Sequence, residues 1–183
     1  IEDCLLRNAL LQMLHHFDIA YRLRDDSGDF VDLTLVPAML GERVQADHRP
    51  APCGDGQVEI CIRYEYKFIP SDVFPRVLAR VQRFVRPVDG AVAREEGFFT
   101  ERIGDQGSTG HVEVERSGKT HQITVHVWGA NDKACCYMRV LLCDSIEHVT
   151  SRLKGMELKA DDSVYLVCEC NQMYPVKEAQ EDL

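Results

Sequence analysis

The sequence predicts an α+β fold: a helix with a β-hairpin, followed by a β-α-β-β-β-α-β antiparallel sheet with its helices on one face. Three observations predict it. Apolar and polar side chains alternate over residues 58–68, which is the period of a strand. Segments 71–85 and 132–153 carry apolar stripes with helical spacing. Gly-rich turns separate the strand-like runs between them, and two amphipathic helices most simply cover one face of such a sheet.

The first 45 residues contain a predicted helix and two short strands. The helix covers residues 4–17, and its apolar face consists of Leu6, Leu10, Met13, Leu14 and Phe17. Strand-like runs at 19–23 and 30–36 flank a polar turn. These elements form a helix-plus-wing unit. Because the chain begins with Ile1 and shows no signal-peptide pattern, we expect it to be a piece of a longer protein whose other helices precede this unit.

A linker is predicted over residues 46–57, which hold two prolines, two glycines and few large apolar side chains. We place the domain boundary there. The first unit then covers residues 1–45 and the second covers 58–170. Residues 171–183 form an acidic tail.

The second unit opens with the clearest strand of the chain. Its apolar face over residues 58–68 consists of Val58, Ile60, Ile62, Tyr64, Tyr66 and Phe68. Ser71 then caps a helix that extends to residue 85. The apolar stripe of this helix consists of Phe74, Val77, Leu78, Val81 and Val85.

Three strand-like runs, a long helix and a final strand complete this unit. They are predicted at 92–103, 109–116, 120–128, 132–153 and 164–170. Ser117 and Gly118 form the turn of a hairpin between the last two runs, and Gly118 takes a positive φ there.

Composition excludes several classes of protein. The 21 Lys and Arg residues against 30 Asp and Glu residues give a net charge of −9, whereas nucleic-acid binders need a basic surplus. The apolar share of 45% argues against disorder. No apolar run is long enough to span a membrane. We therefore expect neither nucleic acid nor a membrane span.

Eight cysteines are present, but no C-x-x-C pair. Cys135, Cys136 and Cys143 fall in a helical pattern among apolar neighbours, whereas Cys168 and Cys170 fall in a strand pattern. Free cysteine commonly behaves as a small buried apolar residue. The pattern favours reduced thiols and a cytoplasmic location over disulfides or a metal site.

No motif for catalysis, cofactor binding or metal binding emerges. Gly118-Lys119-Thr120 lacks the first glycine of a phosphate-binding loop, because that position holds Glu113, and it leads into a strand. His121 and His126 lie five residues apart on a strand and face opposite sides, and no histidines converge. Glu96-Gly97-Phe98-Phe99 lacks the basic residue of an RNA-binding sheet. An interaction module is therefore favoured over an enzyme.

Several segments, taken in order, resemble one family. Leu33 to Leu40 reads as a strand that ends in Pro-x-x-Leu, and Phe68-Ile69-Pro70 precedes a helix that contains Phe74, Arg76, Leu78 and Arg80. This pattern resembles the COR domain of Roco proteins, in which a Ras-like Roc GTPase is followed by COR. It covers about residues 5–170. Many members have Trp-x-x-Gly where this chain has Arg94-Glu95-Glu96-Gly97, which leaves the subfamily open.

The resemblance implies a winged-helix-like first unit, an upstream Roc GTPase domain as partner, and a homodimer formed through the second unit. GTP and GDP would bind the Roc domain of a parent protein with leucine-rich repeats, and no cofactor would bind this chain. COR would act by regulating the GTPase through protein contacts.

Four residues are candidates for an interaction surface. Tyr137 and Val140 lie off the apolar stripe of the long helix, and either Phe98 or Phe99 must point away from its neighbour, which makes one of them a candidate for exposure. Packing against another element of the chain remains an equal alternative. Two other functions stay open: a stand-alone scaffold or peptide-binding module, and an enzyme that uses Cys136 or Cys168 with a nearby histidine.

Overall fold

The fold is α+β, as predicted, and contains a large antiparallel sheet. The computed structural model describes residues 2–16, 20–24, 30–51, 54, 57–81, 86–103, 106–159, 164–167 and 173–175. These residues contain three α-helices and nine β-strands. In chain order they are α1 (Glu2–His16), β1 (Tyr21–Arg24), β2 (Phe30–Leu35), β3 (Val58–Glu65), α2 (Val73–Val81), β4 (Arg86–Val92), β5 (Glu96–Ile103), β6 (Gln106–Ser117), β7 (Thr120–Gly129), α3 (Asp132–Thr150), β8 (Val164–Val167) and β9 (Met173–Pro175).

Seven strands form one sheet in the order β4-β5-β6-β7-β3-β8-β9, and all neighbouring strands are antiparallel. The predicted hairpin is β6–β7, whose strands pair from Ser117 opposite Thr120 to Ser108 opposite Gly129. Gly118 in its turn has a φ of 58°, which confirms the predicted positive value.

Two strands of this sheet were not predicted. One is β9, which lies inside the segment assigned to the acidic tail. The other is β4, which contains Pro87, Asp89 and Gly90, residue types that are depleted in strands. Because β4 is the first strand in the sheet order, Pro87 is tolerated at an edge. The unit therefore reads β-α-β-β-β-β-α-β-β.

The helices α2 and α3 cover one face of the sheet, as predicted. Phe74, Val77, Leu78 and Val81 of α2 are buried, whereas the fifth predicted stripe residue, Val85, lies outside the described residues. From α3, Met138, Leu142 and Ile146 join the same core. The backbone N–H of Ala134 donates to the Asn131 side chain, which caps α3 one residue before the predicted start.

The first unit contains the predicted helix and hairpin. The strands β1 and β2 pair antiparallel after α1. The apolar face of α1 is not buried, because the exposed fractions of Leu6, Leu10 and Met13 are 72%, 55% and 57%. Phe17, the last predicted residue of that face, lies outside the described residues. In the described part of the chain, no helix combines the length and apolar character that a membrane span requires.

Part of the predicted linker packs against the sheet. We call residues 41–51 the strap. It contains a single 3-10 turn at Ala46–His48, and Val44 within it is buried. The backbone N–H of Arg94, between β4 and β5, donates to the carbonyl of Gly41 over 2.8 Å. The strap therefore lies over the sheet face opposite the helices, which we call the open face.

Candidate functional site

The structure separates the four predicted surface residues into two pairs. Tyr137 and Val140 lie one helical turn apart on α3, and each is 45% exposed. Phe98 and Phe99 do point to opposite faces of β5, but neither is exposed. Phe99 belongs to the core beneath the helices, whereas Phe98 packs in a second cluster beneath the strap. The prediction of an exposed phenylalanine was wrong because the strap covers the other face.

A buried carboxylate holds the strap in place. The side chain of Glu96 is only 1% exposed, although it lies at the start of β5 on the open face. The backbone N–H of Val44 donates to its Oε1 over 2.6 Å, and Nη2 of Arg49 lies 3.0 Å from both carboxylate oxygens. A carboxylate removed from water needs such partners, so Glu96 ties two points of the strap to the sheet.

Aromatic rings surround this contact. The rings of Phe98 and His111 stack with centroids 4.1 Å apart and an angle of 11° between their planes. Trp128 meets Phe98 edge to face at 6.4 Å. The guanidinium carbon of Arg49 lies 5.7 Å from the centre of the Phe98 ring, within the range of a cation–π interaction.

Two histidines meet on the open face, contrary to the prediction that none converge. His111 of β6 and His126 of β7 are direct register partners. Nε2 of His111 lies 3.5 Å from Oε2 of Glu96, and Nδ1 of His126 lies 3.6 Å from Oε1 of Glu59. Burial lowers the pKa of His111, while the charges of Glu113 and Glu96 oppose that shift. A neutral imidazole therefore sits beside the buried carboxylate.

These groups line a cleft of about 680 Å³ between the strap and the open face. Its walls are formed by Ala46, Arg49, Pro50, Ala51, Glu59, Phe98, His111, His126 and Trp128. Aromatic walls with a few charged groups are typical of binding sites. Among the described residues, no three His, Cys, Asp or Glu side chains are grouped so that they could hold a metal ion.

The sequence interpretation missed this cleft because its members come from distant segments. Arg49 and Glu96 lie 47 positions apart, and the register that brings His111 beside His126 is set by the hairpin. One signal was available: His111 and His126 both alternate with apolar residues, so both belong to the face opposite the helices.

The described thiols differ in exposure. Cys61, on the open face, and Cys143, on α3, have pKa values raised to about 11, chiefly by burial. Cys135 is buried and Cys136 is exposed. Cys168 lies outside the described residues.

This chain matches no known family model, and no curated protein matches its sequence. The resemblance to COR domains therefore remains a prediction.

Proposed function

We propose that this chain is a regulatory protein-interaction module of the COR type in a cytoplasmic Roco protein. In this proposal it is coupled to a Roc GTPase domain that binds GTP and GDP, dimerises through its sheet-containing unit, and has no enzymatic activity of its own. The ordered pattern from Leu33 to Arg80 supports the family assignment. The fold supports the coarser assignment, because a helix and hairpin precede a sheet that carries helices on one face.

One observation carries the interaction role: the apolar face of α1 is exposed. Leu6, Leu10 and Met13 recur at spacings of four and three, which places them on one side of the helix. Full burial of such a side chain is worth about 1.5–3 kcal/mol. A contiguous exposed stripe of this kind is typical of a surface that binds another protein element. The occupant in this proposal is the Roc-side part of the same protein.

A second apolar surface supports self-association. Tyr137 and Val140 project from α3 on the side away from Met138 and Leu142, which are fully buried. A tyrosine with a neighbouring valine supplies an amphipathic anchor of the kind that interfaces favour. This surface belongs to the second unit, through which COR domains are expected to dimerise.

The molar mass of the chain in solution tests dimerisation. Size-exclusion chromatography with light scattering should show a mass that rises with concentration. Replacing both Tyr137 and Val140 with Ser should leave a monomer. Lys154→Ser is the control, because it changes an exposed residue beyond the end of α3 and should leave the dimer intact. A monomer at every concentration, or a dimer in all variants, contradicts the α3 surface.

The Roc assignment has a separate test. The genomic sequence that encodes residues before Ile1 should contain a G-x-x-x-x-G-K-[ST] loop. A protein that extends the chain through that loop should then bury the α1 stripe, so Leu10→Glu should reduce its stability more than Gln12→Glu, at a neighbouring exposed position of α1. Absence of the loop contradicts the coupling to Roc.

A stand-alone peptide-binding module is the second candidate. The cleft beside Glu59 and Trp128 favours it, because that cleft combines aromatic walls with a carboxylate.

A further inference from the structure

The open face of the sheet carries a cluster of carboxylates. Among the side chains that the structure describes, strand alternation places five carboxylates on this face and one basic group, Arg63. The carboxylates are Glu59, Glu65, Glu96, Glu113 and Glu115. Basic groups outside the sheet strands pair with three of them: Arg43 with Glu113, Arg49 with Glu96 and Lys159 with Glu65.

The strap carries no net charge, because Glu42 and Asp47 balance its two arginines, but both arginines are directed to carboxylates of this face. Arg43 pairs with Glu113, and Arg49 pairs with Glu96. Between them, Val44 is buried against Phe98 and Trp128. Two arginines and one apolar residue thus dock a short segment onto an acidic, aromatic surface, in the way that a bound peptide would.

The site of Arg49 has the chemistry of an arginine receptor. A planar guanidinium can bind a carboxylate and lie over an aromatic ring at the same time, which a lysine ammonium does less well. Arg49 makes both contacts, with Glu96 and with Phe98. Its own side chain is 43% exposed, so it lies at the rim of the cleft rather than inside the core.

The strap leaves part of this surface uncovered. The cleft extends from Arg49 to Glu59, His126 and Trp128, with a volume of about 680 Å³. Glu59 is about one-third exposed there. A second basic or apolar side chain has room beside the strap, next to a carboxylate and an indole ring.

We propose that the strap is a displaceable intramolecular ligand, and that the cleft lined by Glu59, Phe98 and Trp128, together with Glu96 beneath Arg49, docks an arginine-bearing peptide segment of a partner protein. The partner's arginine takes the place of Arg49 on Glu96 and Phe98. The tethered strap competes with it at an effective concentration in the millimolar range, so the strap sets the affinity threshold for the partner. This surface is distinct from α1 and from Tyr137 and Val140, so the proposal does not depend on the COR assignment.

Trp128 reports strap opening directly, because it is the sole tryptophan of the chain and is 8% exposed beneath the strap. Acrylamide quenching of its fluorescence should increase about twofold or more in Arg49→Gln. Loss of the contact between Arg49 and Glu96, which acts as the latch of the strap, shifts the population towards the state in which the strap is displaced. Arg49→Lys, which keeps the charge and the fold, should give an intermediate value. Arg152→Gln removes the same charge at an exposed position after α3 and should quench like the wild-type chain.

Docking is tested in trans with a synthetic peptide that carries residues 43–51 of the strap. It should bind the Arg49→Gln chain and change Trp128 fluorescence. Its affinity for the wild-type chain should be lower by about tenfold or more, because the intact strap competes. A peptide in which Gln replaces the arginine of position 49 should bind neither chain. Circular dichroism confirms that each variant is folded.

Three outcomes overturn the proposal. Equal quenching in the wild-type chain, Arg49→Lys and Arg49→Gln means that the strap is not a latch. Equal binding of the two peptides means that arginine is not what the cleft recognises. A molar mass of Arg49→Gln that rises with concentration, relative to wild type, assigns the face to a second copy of this chain.

Discussion

At the scale of single residues, the two partners in the contact between Glu96 and Arg49 differ in their exposure to water. The carboxylate is fully buried, whereas the guanidinium is 43% exposed. Loss of Glu96 would return Arg49 to water at little cost. Loss of Arg49 would leave a buried carboxylate without its cation, which is the expensive direction. Loss of Arg49 therefore leaves an unpaired buried charge, whereas loss of Glu96 removes the contacts to both Arg49 and Val44.

His111 gives the protein a pH-dependent stability. Its pKa is lowered by burial from an ordinary value of about 6.5. Between the folded and unfolded pKa values, the unfolded chain binds a proton that the folded chain does not, so stability falls as pH drops below about 6.5. We expect His111→Gln to lose less unfolding free energy than wild type between about pH 7.5 and pH 5.5, measured by urea denaturation.

The control for this prediction is His48→Gln, because the His48 side chain is 45% exposed. It should retain the pH dependence of wild type. The other charged or titratable groups near His111 are Glu96, Glu113 and His126, with Arg49 across the cleft, and they are the same in all three proteins. The same loss of stability in His111→Gln and wild type contradicts the assignment to His111.

Close packing between elements is tightest where the β6–β7 hairpin meets α3. A Cβ added at Gly110 would lie 2.5 Å from Leu142 Cδ1, which is itself fully buried on α3. At Gly129 the obstruction includes main chain, because an added Cβ would lie 2.9 Å from the carbonyl oxygen of Gly107. Glycine at position 110 lets α3 approach the hairpin, and glycine at position 129 lets the two strands of the hairpin approach each other.

Gly129→Ala should therefore destabilise the protein by about 1–3 kcal/mol, because the backbone at Gly107 must move to admit the methyl group. The free energy of urea unfolding measures this loss. Gly41→Ala is the control, since its added Cβ meets nothing closer than 3.7 Å, and should change stability by no more than about 0.5 kcal/mol. Equal effects of the two substitutions would show that the hairpin has room at residue 129.

Across the whole molecule, the sheet is covered on two sides by different means. Apolar stripes of α2 and α3 cover one face, whereas charge pairs and one buried valine hold the strap on the other. Salt screens exposed charge pairs, whereas it does not screen apolar burial, which kosmotropic salts strengthen. The two faces therefore differ in how readily solution conditions can uncover them.

Thiol reactivity should follow this division between core and surface. With iodoacetamide near neutral pH, Cys136 should alkylate at least about tenfold faster than Cys61 and Cys143, because it is exposed, whereas burial raises the pKa of the other two to about 11 and suppresses their thiolates. Mass spectrometry of digested protein measures each rate. The Cys136→Ser variant shows how much of the alkylation of that peptide belongs to Cys136 and how much to its buried neighbour Cys135. Fast alkylation of Cys61 or Cys143 in the folded protein would contradict their assignment to the buried part of the molecule.

Local pattern by itself determined most elements of this protein. Period-2 alternation located β3, helical spacing located α1, α2 and α3, and the Gly118 turn located the β6–β7 hairpin, because these signals depend on near neighbours in the chain. Alternation also placed Phe98 and Phe99 on opposite faces. Alternation did not predict the edge strand β4, because Pro87 and Gly90 interrupt the apolar–polar pattern. Only the pairing with β5 makes that segment a strand.

Only the tertiary structure decided which surfaces are covered. Residues 46–51 of the strap read as a linker and residues 41–45 as the end of the first unit, yet Val44 and Arg49 both contact Glu96 of β5 in the folded chain. The cleft likewise depends on the register of three strands and on a contact across 47 positions. Such contacts depend on the folded path of the chain. The sequence therefore identifies the side chains, but only the assembled sheet shows which of them come together to form the cleft.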